Sequence, residues 1–165
     1  MEKQGDNYAF IDGANLHRGI QELGWKLDYR RFRVFLQEKY HVSLAYLFLG
    51  YVPEFSGLYR DLQNWGYTLI FKPTLRNANE EIKGNCDAEL VLQTMIDFQD
   101  FERAVIVTGD GDFACLVSYL IKKNKLACVV SPNPKKCSVL LKRLVPEKHV
   151  FLDRFKERLE FREHK

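Results

Sequence analysis

Residues 104–114 read AVIVTGDGDFA, and few folds can house such a run. Four apolar residues, three of them β-branched (Val105, Ile106 and Val107), spell a short buried strand. Thr108-Gly109 ends it, Asp110 and Asp112 follow around Gly111, and Phe113 opens an apolar helical pattern. A core strand thus delivers two carboxylates to a tight turn at the mouth of a helix. In open α/β sheets ligands bind in the crevice at the carboxyl ends of the strands. Two neighbouring carboxylates repel each other, and a cation is the usual compensation. A purely structural reading makes Asp112 a helix N-cap, which accounts for one acid and leaves Asp110 over. Gly109-x-Gly111-x-x-Ala114 also fits a dinucleotide-binding pattern. Against that, Asp110 and Asp112 would repel a pyrophosphate, and the acid expected roughly 20 residues on is absent from the LACVVSPNP that follows.

The rest of the chain alternates between strand and helix signals. Tyr8–Asp12 (YAFID) is a short strand ending in an acid, after which Gly13-Ala14-Asn15-Leu16 turns away. Asp28 caps a helix with Tyr29, Phe32, Phe35, Leu36 and Tyr40 on one face. Ser43–Leu49 is a second buried strand. Pro53 starts a helix that Gly66 ends, with Phe55, Leu58, Tyr59, Leu62 and Trp65 inward. Tyr67–Phe71 is a third strand. Lys72–Cys86 is irregular, and at about 15 residues it is near the length at which a loop is usually functional. Asp87–Phe98 is a helix with Glu89, Gln93 and Asp97 as its polar stripe. Asp87 falls on the other side, with Val91, Thr94 and Phe98, where an acid is costly unless it is paired or caps the helix. Phe113–Ile121 is a buried helix, Leu126–Val130 a strand, Lys135–Leu144 a helix, His149–Leu152 a strand and Asp153–Arg162 a charged amphipathic helix.

This alternation predicts an α/β fold: a three-layer sandwich with a mostly parallel sheet of five or six strands. Residues 1–152 form one domain, and residues 153–165 a charged helix packed on it or leading out of it. If the first strand lies beside the Val105 strand, Asp12 and Asp110 meet at the topological switch point. Asp87, opening the helix that feeds the Val105 strand, can join them.

Composition narrows the class. At 46% hydrophobic and 28% charged residues the chain is globular, not disordered. A net charge of +3 permits a nucleic-acid partner without demanding one. Cys86, Cys115, Cys128 and Cys137 show no paired spacing and read as reduced thiols. The polar N-terminus has no signal-peptide core, and no apolar run reaches the ~20 residues of a membrane span. A cytoplasmic location away from membranes is the expectation. The sequence leaves open whether the chain forms a homodimer.

Three motifs, Asp12-Gly-Ala-Asn15, Lys83-Gly-Asn-Cys-Asp87 and Thr108-Gly-Asp110-Gly-Asp112-Phe, together resemble the NYN domain family. That family lies within the PIN-like nuclease superfamily and includes the bacterial LabA-like proteins. The likeness runs from about Tyr8 to Leu152. It implies a Rossmann-like α/β/α sandwich, a Mg²⁺ or Mn²⁺ site and cleavage of RNA. It maps the family's acids onto Asp12, Asp87, Asp110 and Asp112, and its early polar residue onto Asn15. Relatives often carry another acid two turns into the helix after the middle motif; here that place, about Gln93, is uncharged.

The residue chemistry agrees with this. Clustered carboxylates make a hard-oxygen cage suited to Mg²⁺ or Mn²⁺, and the scattered His17, His41, His149 and His164 offer no zinc set. Such a site can activate water and stabilise the leaving oxygen of a phosphodiester. Asp12 and Asp110 would be direct ligands, with Asp87 and Asp112 completing the cage or bound through water. Asn15 and Thr108 would orient a phosphate or a water, although a β-branched residue at a strand end suits Thr108 equally. Lys83, then Lys72 and Arg76, would hold the RNA backbone. Lys122, Lys123, Lys125, Lys135 and Lys136 read better as solvated lysines. Trp25 and Tyr51 are candidates for stacking on bases, and Trp65 for the core. The leading function is a metal-dependent ribonuclease acting on single-stranded RNA. The alternative is a catalytically weak or inactive RNA-binding or scaffold module of the same fold. A dehalogenase-type phosphatase is disfavoured because Ala14 stands where its second acid belongs, and a receiver domain because its lone acceptor Asp and later Lys are not evident.

Overall fold

The computed structural model describes residues 6–73, 75–76, 82–83 and 85–163, with backbone only at 75–76 and 82–83. The buried run Ala104–Val107 forms β6, beside β1 (Asn7–Asp12) at the centre of a six-stranded sheet. Ile11 pairs with Val107, so both strands run out at the same level. On the far side of β1 lie β2 (Val42–Tyr51) and β3 (Tyr67–Pro73); beyond β6 come β7 (Leu126–Ser131) and β8 (His149–Phe151). Every pairing in this sheet is parallel. Strand order reverses between β1 and β6, which opens the crevice there.

Side chains alternate across the sheet with the period of two that strands impose. Ala9, Ile11, Val105, Val107 and Val130 face one layer of helices: α1 (Gly13–Glu22), α2 (Tyr29–Tyr40), α3 (Ser56–Asn64) and the short α7 (Lys156–Leu159). Phe10, Phe48, Ile106 and Val129 face the other: α4 (Asp87–Ile96), α5 (Ala114–Lys122) and α6 (Val139–Leu144). Inside the Lys72–Cys86 stretch, β4 (Leu75–Arg76) and β5 (Ile82–Lys83) pair antiparallel, where the sequence shows only irregularity.

Four other expectations change. The turn expected at Gly13–Leu16 is the start of α1. Its two buried glycines hide the helix from propensity arguments, yet both mark close approach. A Cβ on Gly13 would lie 2.6 Å from the Phe48 carbonyl oxygen, and one on Gly19 2.3 Å from Cγ of Pro132. The Pro53 helix begins as a 3₁₀ turn, and only Tyr59 and Leu62 of its expected inner face are buried; Phe55 and Leu58 are 53% and 47% exposed. α6 starts at Val139, not Lys135, because the Ser138 hydroxyl caps it by accepting from the Leu140 amide. The expected helix over Asp153–Arg162 is a 3₁₀ turn followed by α7. It stops at Glu160, which bridges to Leu27, with Leu159 fully buried beside α2. Among the described residues no helix is long and apolar enough to cross a membrane.

Candidate functional site

Three acids that are far apart in sequence meet in the crevice. Asp12, Asp87 and Asp110 each present an oxygen, and these atoms lie within 4.8 Å of one another. Each acid sits at a helix mouth, where partial positive charge from free amides favours an anion. Asp12 ends β1 and caps α1, its Oδ1 accepting from the Asn15 amide at 3.3 Å. Asp87 is the first residue of α4, and its amide donates to Oδ1 of Asn85 at 3.0 Å. Asp110 follows β6 and caps the 3₁₀ turn Gly111–Phe113, its Oδ1 accepting from the Asp112 amide at 2.9 Å. The cap is therefore Asp110, not Asp112. Asp112 is exposed and stands outside the triad, where its charge is still felt by Asp87.

One hydroxyl ties two of the acids. Fully buried Thr108 donates to Oδ2 of Asp12 at 3.0 Å and accepts from the Asp110 amide at 3.1 Å. Its hydroxyl is thus engaged in holding the acids, rather than turned out to meet a phosphate. Asn15 stitches β1 to β6 as well, its Oδ1 accepting from the Gly109 amide at 2.8 Å. Behind this turn Ser131 donates to the Thr108 carbonyl and pairs with His149.

Burial lifts the Asp12 carboxyl above its ordinary range. The Asn15 amide and Thr108 hydroxyl pull it down, while the charges of Asp87 and Asp110 push it further up. Asp87 is also raised, first by burial and then by Asp110 and Asp112, against a lowering hydrogen bond from Asn85 and a smaller lowering by Lys72. Burial pushes the neighbouring Cys86 thiol up to about 11, and its soft sulfur is a poor match for a hard cation held by oxygen. Three carboxylates gathered this closely, two of them with raised proton affinity, are suited to a small divalent cation. The 4.8 Å limit on their spacing is close to the roughly 4.2 Å diameter of a Mg²⁺ coordination sphere, so one ion would be within reach of all three acids.

The expected cations divide. Lys72 reaches the site: its Nζ donates to the Asn85 carbonyl at 2.8 Å and lies 3.8 Å from Glu89. The side chains of Arg76 and Lys83 lie outside the described residues. Lys122, Lys123 and Lys125 sit at the end of α5 and just before β7, at the opposite end of the sheet. Lys122 and Lys123 are exposed, as solvated lysines are, but Lys125 is half-buried, its Nζ donating to the Phe101 carbonyl and lying over the rings of Phe98 and Phe101. Lys136 is exposed too, and lines a cleft with Asn15 and Gly109 beside the triad. Trp25, expected as a stacking platform, is core at 8% exposure, whereas Tyr51 is exposed, with its ring against Tyr59 and Phe71. Sequence reasoning missed Glu89, Arg18 and Asn133. Glu89 read as part of a solvent stripe, though it follows Asp87 by two positions on the same first turn. Gln93 donates to Asp97, which in turn accepts from the Tyr46 hydroxyl.

Comparison with known proteins gives the same picture. A model of the NYN domain matches residues 8–151. The chain is 31% identical over 135 residues to the low amplitude and bright protein LabA of Synechococcus elongatus, covering 75% of this chain and 72% of that one. A crystal structure of a protein of unknown function from Vibrio parahaemolyticus superposes with a TM-score of 0.79 at 20% identity, over 98% of this chain and 99% of that one. That likeness is one of fold.

Proposed function

This chain belongs to the NYN domain family, a PIN-like family of nuclease type, and on that premise we propose that it is a divalent-metal-dependent ribonuclease hydrolysing phosphodiester bonds of single-stranded RNA. The observation that carries the reading is the convergence of Asp12, Asp87 and Asp110 on one point of the crevice. These three would hold Mg²⁺ or Mn²⁺, with Asp112, whose charge reaches Asp87, acting through water. When bound, such an ion polarises a phosphoryl oxygen and lowers the pKa of a bound water.

The chain's own groups do the positioning. Thr108 fixes the rotamer of Asp12 and the amide of Asp110 together, so the two central acids hold their relative geometry. The Asn15 side chain, anchored on the Gly109 amide, stands where it can orient a phosphate. Lys72 offsets part of the negative charge on the α4 side. That charge would otherwise repel the substrate.

The test is labelled single-stranded RNA incubated with Mn²⁺, with and without chelator, beside Asp110→Asn. Cleavage should require the ion and fall on the order of 10²-fold or more in Asp110→Asn, as removal of an electrostatic catalytic group does. One observation favours the second reading, an RNA-binding module without catalysis: Gln93 is tied to Asp97 and brings no fourth carboxylate to the site. Clean protein that binds RNA but never cuts it in Mg²⁺ or Mn²⁺ would decide for that reading.

A further inference from the structure

A cleft of about 200 Å³ opens between α1 and the loop after β7, and it shares Asn15 and Gly109 with the acid site. It is smaller than the roughly 300–1,000 Å³ of a whole-ligand pocket, so it suits one unit of a longer chain. Its floor is Gly19 against Pro132, packed too closely for any side chain at position 19. Arg18 and Lys136 line it from opposite elements, and so does Glu22. Neither Arg18 nor Lys136 is drawn into an ion pair among the described residues, even with Glu22 on the same wall. Two cations and one acid leave a single net positive charge. That matches the single negative charge of an internal phosphodiester better than a polyphosphate.

Asn133 supplies the second pointer. It is only 6% exposed and lines the cleft. Its Oδ1 accepts from the Lys135 amide at 3.0 Å, which fixes the orientation of the side-chain amide. Its Nδ2 is then a donor with no hydrogen-bond partner among the described residues. That donor is not among the sealed, unpartnered polar atoms of the described residues: it opens to the cleft, where a ligand oxygen can take the place of water.

We propose that this cleft holds the nucleotide flanking the scissile bond, its phosphodiester between Arg18 and Lys136 and an oxygen accepting from Nδ2 of Asn133. The inference rests on the ribonuclease reading for the identity of the polymer. The strand would then cross the acid site from the Lys72 side to the α1–β7 side, with cations on both flanks of the acids.

The test is the binding of a short labelled single-stranded RNA of mixed sequence at several salt concentrations, with cleavage followed separately in Mn²⁺. The proteins are wild type, Arg18→Ala, Lys136→Ala and Asn133→Asp, each checked by thermal melting. Each alanine variant should bind severalfold more weakly and flatten the slope of log K against log salt by about 0.7, the value of one phosphate contact on a single strand. Asn133→Asp keeps the acceptor, removes the donor and cancels the cleft's net positive charge, and should weaken binding at least as much. Wild type that cuts RNA, with Arg18→Ala and Lys136→Ala unchanged in affinity and slope, overturns the cleft and leaves the ribonuclease reading intact. Binding that falls in these variants while wild type never cuts supports the cleft and overturns the ribonuclease reading. Wild type that neither binds nor cuts overturns both.

Discussion

Asp12 shows how much one side chain is asked to do. It ends a strand, caps a helix, receives a buried hydroxyl and faces two other acids. Because burial raises Asp12 and Asp87 above their unfolded values, the folded chain without metal binds protons more tightly than the unfolded one. The stability linked to these groups is fully present at acidic pH and is lost as pH rises through the raised values. Ionised Asp12 is therefore a cost at neutral pH. Asp12→Asn keeps an acceptor for the Asn15 amide and removes the charge. Without divalent cation it should melt at a higher temperature than wild type at neutral pH, with the gap closing as the solution is acidified. A lower midpoint at neutral pH would contradict this account. All three members of the triad were legible in the sequence, because a strand end or helix start followed by Gly or Ala leaves few other uses for an acid. Asn133, Arg18 and Glu89 were not. Their significance comes from which residues lie opposite, and local spacing carries no such information.

At the scale of elements, α1 is the instructive case. Its glycines lower intrinsic propensity, and on the sequence alone Gly13-Ala14 read as a turn. In the fold they let the helix lie against β2 and the loop after β7, so tertiary contact overrides propensity. Gly19→Ala should cost roughly 1–3 kcal/mol through overpacking against Pro132. Gly57→Ala, in α3 with open space around it, should gain about 0.4–1 kcal/mol. Urea denaturation of the two variants separates a glycine needed for close approach from one that is not. The central strands and α2 were readable because their apolar spacing is regular. The two-residue β4–β5 pair has too few residues to show any period, and Phe55 and Leu58 misled because α3 covers only the sheet edge and buries a single narrow stripe. Asp153–Arg162 misled for a related reason: an amphipathic pattern does not show that pairing of Glu160 with Leu27 ends the helix.

For the whole molecule, an ion bound only by the folded state adds to its stability. At a hundredfold excess over its dissociation constant the gain is about 2.7 kcal/mol, or roughly 5–10 °C in the melting temperature of a chain this size. Mn²⁺ should produce a shift of that order in wild type and almost none in Asp110→Asn; equal shifts would remove Asp110 from the ligand set. The central pairing of β1 with β6 joins the first strand to one made much later. At roughly 5–20 residues per second, the ribosome releases Asp12 several seconds before Asp110. Until β6 emerges, no crevice exists and the acids are strangers. A growing chain with the activity proposed above is thus harmless to the message that encodes it, and becomes able to cut only when its translation is well advanced.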